Sequence, residues 1–349
     1  MENNVLVIGN GYDLAHKLKT KYDDFIQYIK DAEEDDSFIP KQEDREFIHK
    51  CIETNGFLNY FLNYTNKVPG WVDLEKLIRE IIHYFEFFFA NYIDFIDTRD
   101  DVALDASSLD MSQSQMLRTI NCLFEFEPLF DRDDTKGFHY SLHMNPEYYT
   151  SEFGLNKREI LKFLKAQLDE VIDLLQRYLV YATENLDKID KIQQIADINP
   201  RYVISFNYTH TYKRYGIRDE DVLHVHGRLL KNNMVLGFND EDPENLDFVY
   251  FKKYFQRIQK LTGYIDERKM GIYDPLYDNP IVHFYGHSMD KTDGDIIEKL
   301  KSLARGFVIY TYDQEDYEQK VINLIDVFGK EKATELIQTK FIEFVPTAP

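Results

Sequence analysis

Two histidines alternate with apolar residues in the segment VLHVHGR, residues 222–228, so both would face the same side of a strand. A catalytic zinc needs about three protein ligands, and no third ligand stands at a recognisable spacing, so we predict no metal. His226 ends the predicted strand, and Gly227 would let a ligand approach it. Because histidine titrates near neutral pH, we predict that His226 is a catalytic acid/base group. His224 fits a hydrogen-bonded core residue better.

Asn207 lies in the segment ISFNYTHTY, residues 204–212, directly after another apolar run. Its amide cannot act as a base, but it can hold a water molecule or a ribose hydroxyl group. We therefore predict that Asn207 is a catalytic, orienting residue and that Ser205 contacts the ligand. Asparagine is also common in structural turns, and this alternative stays open.

A glycine-rich turn begins the segment GNGYDLAHKL, residues 9–18, directly after the apolar run at residues 5–8. Glycines on both sides of Asn10 would let the backbone approach a ligand closely. Asp13 offers an N-cap for a following helix, whose free N–H groups would point at a phosphate. We predict ligand contacts at Gly9, Asn10, Gly11 and Asp13, with a tight structural turn as the alternative.

A fourth polar segment, FYGHSMDKTDGDII, continues from the apolar run at residues 281–285. It could close a pocket or contact a ribose hydroxyl group, and we predict ligand contacts at Gly286, His287, Ser288 and Asp290. Helix capping by Asp293 is the alternative. All four segments follow strand signals, and open α/β sheets bind ligands at the carboxyl ends of their strands.

The elements that must position these residues form a strand-and-helix pattern. After the first apolar run, the chain is predicted to be mostly helical to about residue 196, with long apolar faces at residues 72–89 and 160–179. The acidic stretch at residues 31–36 and the polar stretch at residues 100–115 are predicted to be loops or solvated edges of the fold. Strand signals return at residues 202–206, 222–226, 234–236, 281–285, 307–310 and 341–344.

This pattern predicts an α/β fold, with a Rossmann-like, mostly parallel sheet and a large helical insertion after the first strand. We expect residues 1–20 and 197–349 to form the nucleotide-binding domain and residues 21–196 to form the helical insertion subdomain.

Charge and cysteine content limit the classes of partner. The chain of 349 residues has 62 acidic and 41 basic residues and a net charge of −21, with no lysine or arginine run, which argues against nucleic acid. Cys51 and Cys122 form no CxxC pair, which excludes a zinc ribbon and favours a reducing compartment. No stretch has the length of a membrane span. We predict a soluble, cytoplasmic protein without a membrane partner.

The polar segments together resemble the AbiH family of bacteriophage abortive-infection proteins. The resemblance is carried, in chain order, by GNGYDLAHKL, WVDLE at residues 71–75, ISFNYTHTY, VLHVHG and FYGHSMDKTDGDI. The family is similar to sirtuin-like domains in its first glycine turn, its central asparagine and its HG dipeptide. The resemblance implies that Gly9 and Gly11 form a dinucleotide-binding turn, that Asn207 lies beside the nicotinamide ribose, and that His226 is catalytic.

The chain also departs from the sirtuin pattern. Thr209 stands where sirtuins have an aspartate two residues after the asparagine, and the zinc ribbon is missing. Both departures argue against protein deacylation. The resemblance instead implies NAD as the substrate or ligand, with cleavage of its N-glycosidic bond and release of nicotinamide. Asp13 or Asp290 would offset the developing positive charge.

Two alternatives stay open. A non-catalytic sensor would bind NAD or an ADP-ribose derivative without cleaving it, and a nucleic-acid effector would act in the same defence role. A phage-derived trigger protein and a second copy of the chain are the protein partners that we consider.

Overall fold

The described chain combines helices with three β-sheets. A computed structural model describes residues 3–35, 38–39, 41–67, 73–97, 103–105, 124–129, 139–144, 147–150, 154–239 and 246–347. The helices are α1 (Asn10–Ala15), α2 (Tyr22–Glu34), α3 (Gln42–Thr54), α4 (Gly56–Lys67), α5 (Leu74–Phe95), α6 (Lys157–Ala182), α7 (Gln193–Ile198), α8 (Lys253–Lys260), α9 (Gly294–Leu303), α10 (Gln314–Phe328) and α11 (Lys330–Gln338). The strands are β1 (Asn4–Ile8), β2 (Ile96–Asp97), β3 (Ala103–Asp105), β4 (Phe124–Leu129), β5 (His139–Met144), β6 (Tyr149–Thr150), β7 (Gly154–Leu155), β8 (Tyr202–Ser205), β9 (Val222–His224), β10 (Ile281–Tyr285), β11 (Gly306–Thr311) and β12 (Ile342–Pro346).

The chain divides into two compact units. The first comprises residues 1–21, 178–239 and 253–349, and the second comprises residues 22–177 and 240–252. Parts of each unit lie outside the described residues.

A six-stranded parallel sheet forms the centre of the first unit. Its strands are ordered β12-β11-β10-β1-β8-β9, and every neighbouring pair runs parallel. When these strands are numbered along the chain, the order from the β9 edge is 3-2-1-4-5-6, which is the order of a doubly wound Rossmann sheet. The predicted Rossmann-like, mostly parallel sheet is confirmed.

The first strand shows why this sheet is covered on both faces. Val5 and Val7 belong to one buried cluster, whereas Leu6 and Ile8 belong to another. Successive side chains of a strand point to opposite faces, so a continuous apolar run supplies both cores. This explains the run of β-branched and aliphatic residues that predicted β1.

The sheet has its topological switch point at β1. Strand β1 lies between β10 and β8, and Ile8 pairs with Tyr285 on one side and with Ser205 on the other. The segments that follow these three strands therefore begin at one edge of the sheet. Ligands of doubly wound sheets bind in the crevice at such a switch point.

The strand predicted at residues 234–236 is wrong, because side chains satisfy most of its backbone. The Tyr208 hydroxyl donates to the Val235 carbonyl (2.7 Å). The Gln256 side chain accepts from the Leu236 N–H (3.1 Å) and donates to the Leu236 carbonyl (2.8 Å). With these groups already bonded, the segment does not join a strand ladder.

The N-cap predicted at Asp13 is also wrong. Helix α1 begins at Asn10, directly after Gly9, so Asp13 lies inside the helix. Because the helix begins directly after Gly9, the Asp13 carboxylate does not lie at the N-cap position of the helix.

The second unit contains the predicted apolar helices but is not purely helical. Helices α5 and α6 bury the expected faces, including Leu77, Ile81, Leu164 and Val171. A four-stranded antiparallel sheet, ordered β2-β3-β5-β4, and the pair β6–β7 lie in the region that was predicted to be mostly helical. Strand β4, FEFEPL, alternates phenylalanine with glutamate, which is the period of a strand rather than a helix.

Some predictions concern residues that the structure does not describe. Trp71, Cys122 and most of residues 100–115 lie outside the described residues, although β3 shows that this polar stretch is not entirely a loop. Among the described helices, none has the length and hydropathy needed to cross a membrane.

Candidate functional site

Backbone-to-backbone packing joins the turn after β1 to the turn after β10. The Gly11 N–H donates to the Gly286 carbonyl (2.9 Å). Gly286 has a φ of +65°, and a Cβ atom there would lie 2.0 Å from the Tyr12 nitrogen. A Cβ on Gly9 would lie 2.7 Å from the Gly286 oxygen. These glycines allow two turns to touch, and phosphate binding by Gly9 and Gly11 stays a prediction.

Asn207 connects the end of β8 to the same place. Its side-chain amide donates to the Gly9 carbonyl (2.9 Å), and the residue is buried. The Ser205 hydroxyl donates to the Asn207 carbonyl (3.0 Å) and accepts from the Asn207 N–H (3.2 Å). Ser205 thus shapes the turn that carries Asn207. The structure brings together Gly9, Gly11, Ser205, Asn207 and Gly286.

Asp13 is a buried carboxylate with an incomplete set of partners. Its Oδ2 accepts from the Thr209 hydroxyl (2.6 Å), whose oxygen lies 3.3 Å from the Thr211 hydroxyl. Its Oδ1 is buried and has no hydrogen-bond partner among the described residues. Burial raises the pKa of Asp13 to about 6, although the hydrogen bond from Thr209 and the nearby polar side chains of Thr211 and Asn207 lower it. The carboxylate therefore changes charge close to neutral pH.

His226 and Asp293 form a buried dyad. The His226 Nε2 lies 3.1 Å from the Asp293 Oδ1. Burial lowers the pKa of His226 to about 4 despite the neighbouring carboxylate, so the ring is neutral at pH 7. An ionised carboxylate can only accept, so the neutral ring donates its Nε2–H to Asp293 and keeps the Nδ1 lone pair. This is the form that a general base requires.

His287 faces Asp293 from the turn after β10. Its Nδ1 accepts from the Met289 N–H (3.0 Å), which leaves the proton on Nε2, 3.8 Å from the Asp293 Oδ2. Burial lowers the pKa of His287 to about 4. The Phe206 ring packs against both imidazoles, with centroids 4.2 Å from His287 and 5.4 Å from His226. His287 is thus part of the dyad's surroundings.

Two cations from helix α8 complete this cluster. The Lys253 Nζ and the Arg257 Nη2 lie 3.7 Å and 3.3 Å from the Asp293 Oδ1, and both side chains are buried. Arg257 also pairs with Asp295 through its Nη1 (2.8 Å). Burial alone would raise the pKa of Asp293, but the charge of Lys253 and the hydrogen bond from His226 hold it well below its usual range. Asp293 is therefore ionised at every pH at which the protein is expected to work.

Sequence reasoning missed Lys253 and Arg257, and it gave Asp293 a different role. Asp293 stands at the N-cap position of α9 but makes no capping hydrogen bond, because its carboxylate is engaged by the dyad and the cations. The sequence of α8 does not distinguish them. Lys253, Gln256 and Arg257 are spaced as one polar helix face, and such a face normally lies towards solvent.

The two histidines of the VLHVHGR segment do not face the same side, contrary to the prediction. Strand β9 ends at His224, and a turn follows, so His226 leaves the strand alternation. His224 lies 3.1 Å from the Tyr212 hydroxyl and 3.2 Å from the Asn207 carbonyl, as expected for a hydrogen-bonded core residue.

The other predicted contact residues have local partners. Gly227 has a φ of +77° and packs against the Asn233 backbone. Asp290 caps a short turn by accepting from the Thr292 N–H (2.8 Å). The carbonyl of Ser288 accepts from Asn323 (2.8 Å), and the exposed Asn10 side chain accepts from Thr20 (2.8 Å). The structure does not connect Asn10, Ser288 or Asp290 with the dyad by any hydrogen bond among the described residues.

The described residues contain no group of three or more histidine, cysteine, aspartate or glutamate side chains arranged to hold a metal ion. The chain offers instead two buried polar clusters at one sheet edge. The Asp13 cluster comprises Asp13, Asn207, Thr209 and Thr211, and the dyad cluster comprises His226, Asp293, His287, Lys253 and Arg257.

Comparison with protein families gives a match, covering residues 5–312, to the family described as "Bacteriophage abortive infection AbiH". No curated protein and no solved structure matches the chain significantly.

Proposed function

Because the chain belongs to the bacteriophage abortive infection AbiH family, we propose that it acts in this defence by binding NAD at the carboxyl edge of its parallel sheet and hydrolysing it to nicotinamide and ADP-ribose. The defence role follows from the family itself. The choice of NAD and of the reaction rests on the resemblance to sirtuin-like domains together with the polar groups at this edge.

One observation carries the proposal. The turns after β1, β8 and β10 are hydrogen-bonded or packed together at the switch point of a Rossmann-ordered sheet, and Asn207 joins two of them. Nucleotides bind doubly wound sheets at this crevice. The same edge carries a neutral histidine oriented by an ionised carboxylate.

The reaction does not need a general acid to protonate the leaving group. The C–N bond between ribose and nicotinamide breaks with its electron pair on the nicotinamide nitrogen, which turns a cationic ring into a neutral leaving group. A water oxygen bonds to the ribose carbon, and His226 accepts the proton that the water loses. Asp293 donates no proton and stabilises the charged imidazole that forms. Asn207 orients the water or a ribose hydroxyl group.

Asp13 is better suited than Asp290 to offset the positive charge that develops on the ribose. The carboxylate of Asp290 is occupied by its turn, whereas the Asp13 Oδ1 has no partner among the described residues. The Thr209 hydroxyl donates to Asp13, so Asp13 supplies a carboxylate beside the position where sirtuins carry theirs. A carboxylate in that place stabilises an oxocarbenium-like centre.

The test is an assay of nicotinamide release by the full chain, alone and with extract of phage-infected cells. His226→Gln keeps a donor for Asp293 but removes the base, and we expect a loss of roughly a hundredfold or more. His83→Ala, which changes a largely exposed histidine paired with Glu86, is the control. No turnover under either condition, or equal turnover in wild type and His226→Gln, would contradict the proposal.

A non-catalytic NAD or ADP-ribose sensor is a second candidate. It is favoured by the burial of His226 and Asn207, which limits the access of a reacting water molecule. Tight NAD binding without any product would support it, and Asn207→Ala should weaken that binding. Gly11→Val is not a clean probe, because its Cβ would lie 2.7 Å from the Gly286 Cα.

A further inference from the structure

Helix α8 has the reverse of the usual distribution of polarity. Lys253, Gln256 and Arg257 are buried, whereas Ile258 in its last turn and Leu261 just beyond its end are 71% and 92% exposed. Amphipathic helices normally bury their apolar side. Burying two cations is unfavourable unless each is paired with an opposite charge. The contacts of this buried polar face must therefore compensate for the burial of its two charges.

The two cations of that face converge on a single oxygen atom. The Asp293 Oδ1 is 3.1 Å from the His226 Nε2, 3.3 Å from the Arg257 Nη2 and 3.7 Å from the Lys253 Nζ. Arg257 is tied at its other end to Asp295, and Lys253 also reaches the Thr292 hydroxyl (3.5 Å). The carboxylate is thus fixed from two directions while it accepts from the imidazole.

We propose that Lys253 and Arg257 are positioning residues that fix the ionised Asp293 against the His226 Nε2 and, by their charge, keep the imidazole free to accept a proton at Nδ1. The inference deepens the proposed function, because it names residues that support the same base. The geometry on which it stands is independent of the identity of the substrate.

The charges around His226 define the expected direction of change. Burial is the largest influence on the pKa of His226 and lowers it, Asp293 raises it, and Lys253 and Arg257 lower it. His287 is neutral and Phe206 is apolar, so the other neighbours packed against the ring add no net charge. Removing either cation leaves the Asp293 charge less balanced. The imidazole then binds a proton more readily, and its pKa rises.

A purely structural ion cluster would behave differently. Its loss would lower the temperature of unfolding without changing which protonation state His226 adopts. The protonation state of His226 is therefore the readout that separates a positioning role from simple stabilisation.

The experiment is an NMR titration of the histidine rings in the full chain, comparing wild type with Lys253→Met and Arg257→Gln. In wild type we expect the Nε2–H tautomer, with no protonation of His226 above about pH 5. Each variant should shift the midpoint upward by about one pH unit, the usual effect of one nearby charge. Arg257→Lys, which retains the charge, should restore part of the wild-type midpoint. Arg201→Gln is the control. It removes a pair with Asp274 next to the amino end of β8 and should leave the His226 midpoint unchanged.

An Nδ1–H tautomer in wild type, or an unchanged midpoint in folded Lys253→Met and Arg257→Gln, would overturn the inference. If either variant fails to fold, Arg257→Lys and the wild-type tautomer decide. The outcome is separate from NAD turnover. The expected titrations without any nicotinamide release would refute the proposed reaction and leave this inference standing.

Discussion

At the scale of single residues, Asp13 has the environment of a functional group rather than a stabilising one. It is fully buried, one of its oxygens has no partner among the described residues, and burial raises its pKa to about 6. Titratable groups whose pKa is shifted by burial in the folded protein are characteristic of active sites. A stabilising carboxylate would show a lowered pKa instead.

We predict that Asp13→Asn abolishes nicotinamide release without loss of stability at pH 8. A raised pKa means that the folded state loses stability as pH rises from about 4 to 6, because it must give up a proton that it holds tightly. Asparagine removes this cost, which is about 1.4 kcal/mol for each pH unit by which the pKa is raised, and it can still accept from Thr209. Thermal unfolding at pH 5 and pH 8, together with the assay, checks this. Asp197→Asn, at an exposed helix position, is the control. A variant that is destabilised equally at both pH values would contradict this reading of Asp13.

At the scale of elements, the contact between two turns decides how the site is built. Gly286 lies in the left-handed region, and its position leaves no space for a side chain against the Tyr12 nitrogen. Gly216 has a similar φ of +76°, but a Cβ there would meet nothing within 4 Å. Comparing a substitution at Gly286 with one at Gly216 therefore separates the cost of backbone strain from the cost of steric exclusion.

We predict that Gly286→Ala destabilises the protein by several kcal/mol more than Gly216→Ala. Gly216→Ala carries only the cost of a left-handed conformation, about 1 kcal/mol. Gly286→Ala adds a clash with backbone, which cannot move aside as a side chain could. Urea denaturation of the two variants gives the comparison. Similar losses in both would show that the turns after β1 and β10 are not in firm contact.

The sequence predicted the strands that are buried on both faces and missed what depends on tertiary contacts. Strands β1, β8 and β10 were found because continuous aliphatic runs have few other uses. The segment at residues 234–236 looks the same, but Tyr208 and Gln256 satisfy its backbone. No local pattern reveals such long-range partners.

The candidate site was predictable to a similar extent. Asn207 and His226 could be selected because polar residues directly after strands point to a ligand. The partner of His226 could not, since Asp293 is 67 positions further along the chain and looks like an ordinary helix cap. Lys253 and Arg257 were hidden because charged residues on a short helix normally face solvent.

At the scale of the whole molecule, buried histidines should set the response to acid. His224, His226, His283 and His287 have their pKa lowered to about 4 by burial. Between about pH 6.5 and pH 4 the unfolded chain binds a proton at each of these positions and the folded chain does not. Asp13 acts in the opposite direction, because its raised pKa lets the folded chain bind a proton first.

We therefore predict that stability falls as pH decreases from 6.5 towards 4, since four histidines outweigh one aspartate. Each uncompensated group contributes up to about 1.4 kcal/mol per pH unit. Urea denaturation at pH 7.5 and pH 5, repeated at high salt to screen the net charge of −21, measures the effect. Equal or greater stability at pH 5 would show that these histidines are not buried in neutral form.

A crystal structure of the His226→Gln protein with NAD would test most directly whether the carboxyl edge of the sheet at β1, β8 and β10 is an NAD site. We predict that the nicotinamide ribose lies between Asn207 and Asp13, within hydrogen-bond distance of both, with residue 226 facing the N-glycosidic bond. NAD bound elsewhere on the chain, or crystals without NAD at concentrations well above its cellular level, would contradict the account.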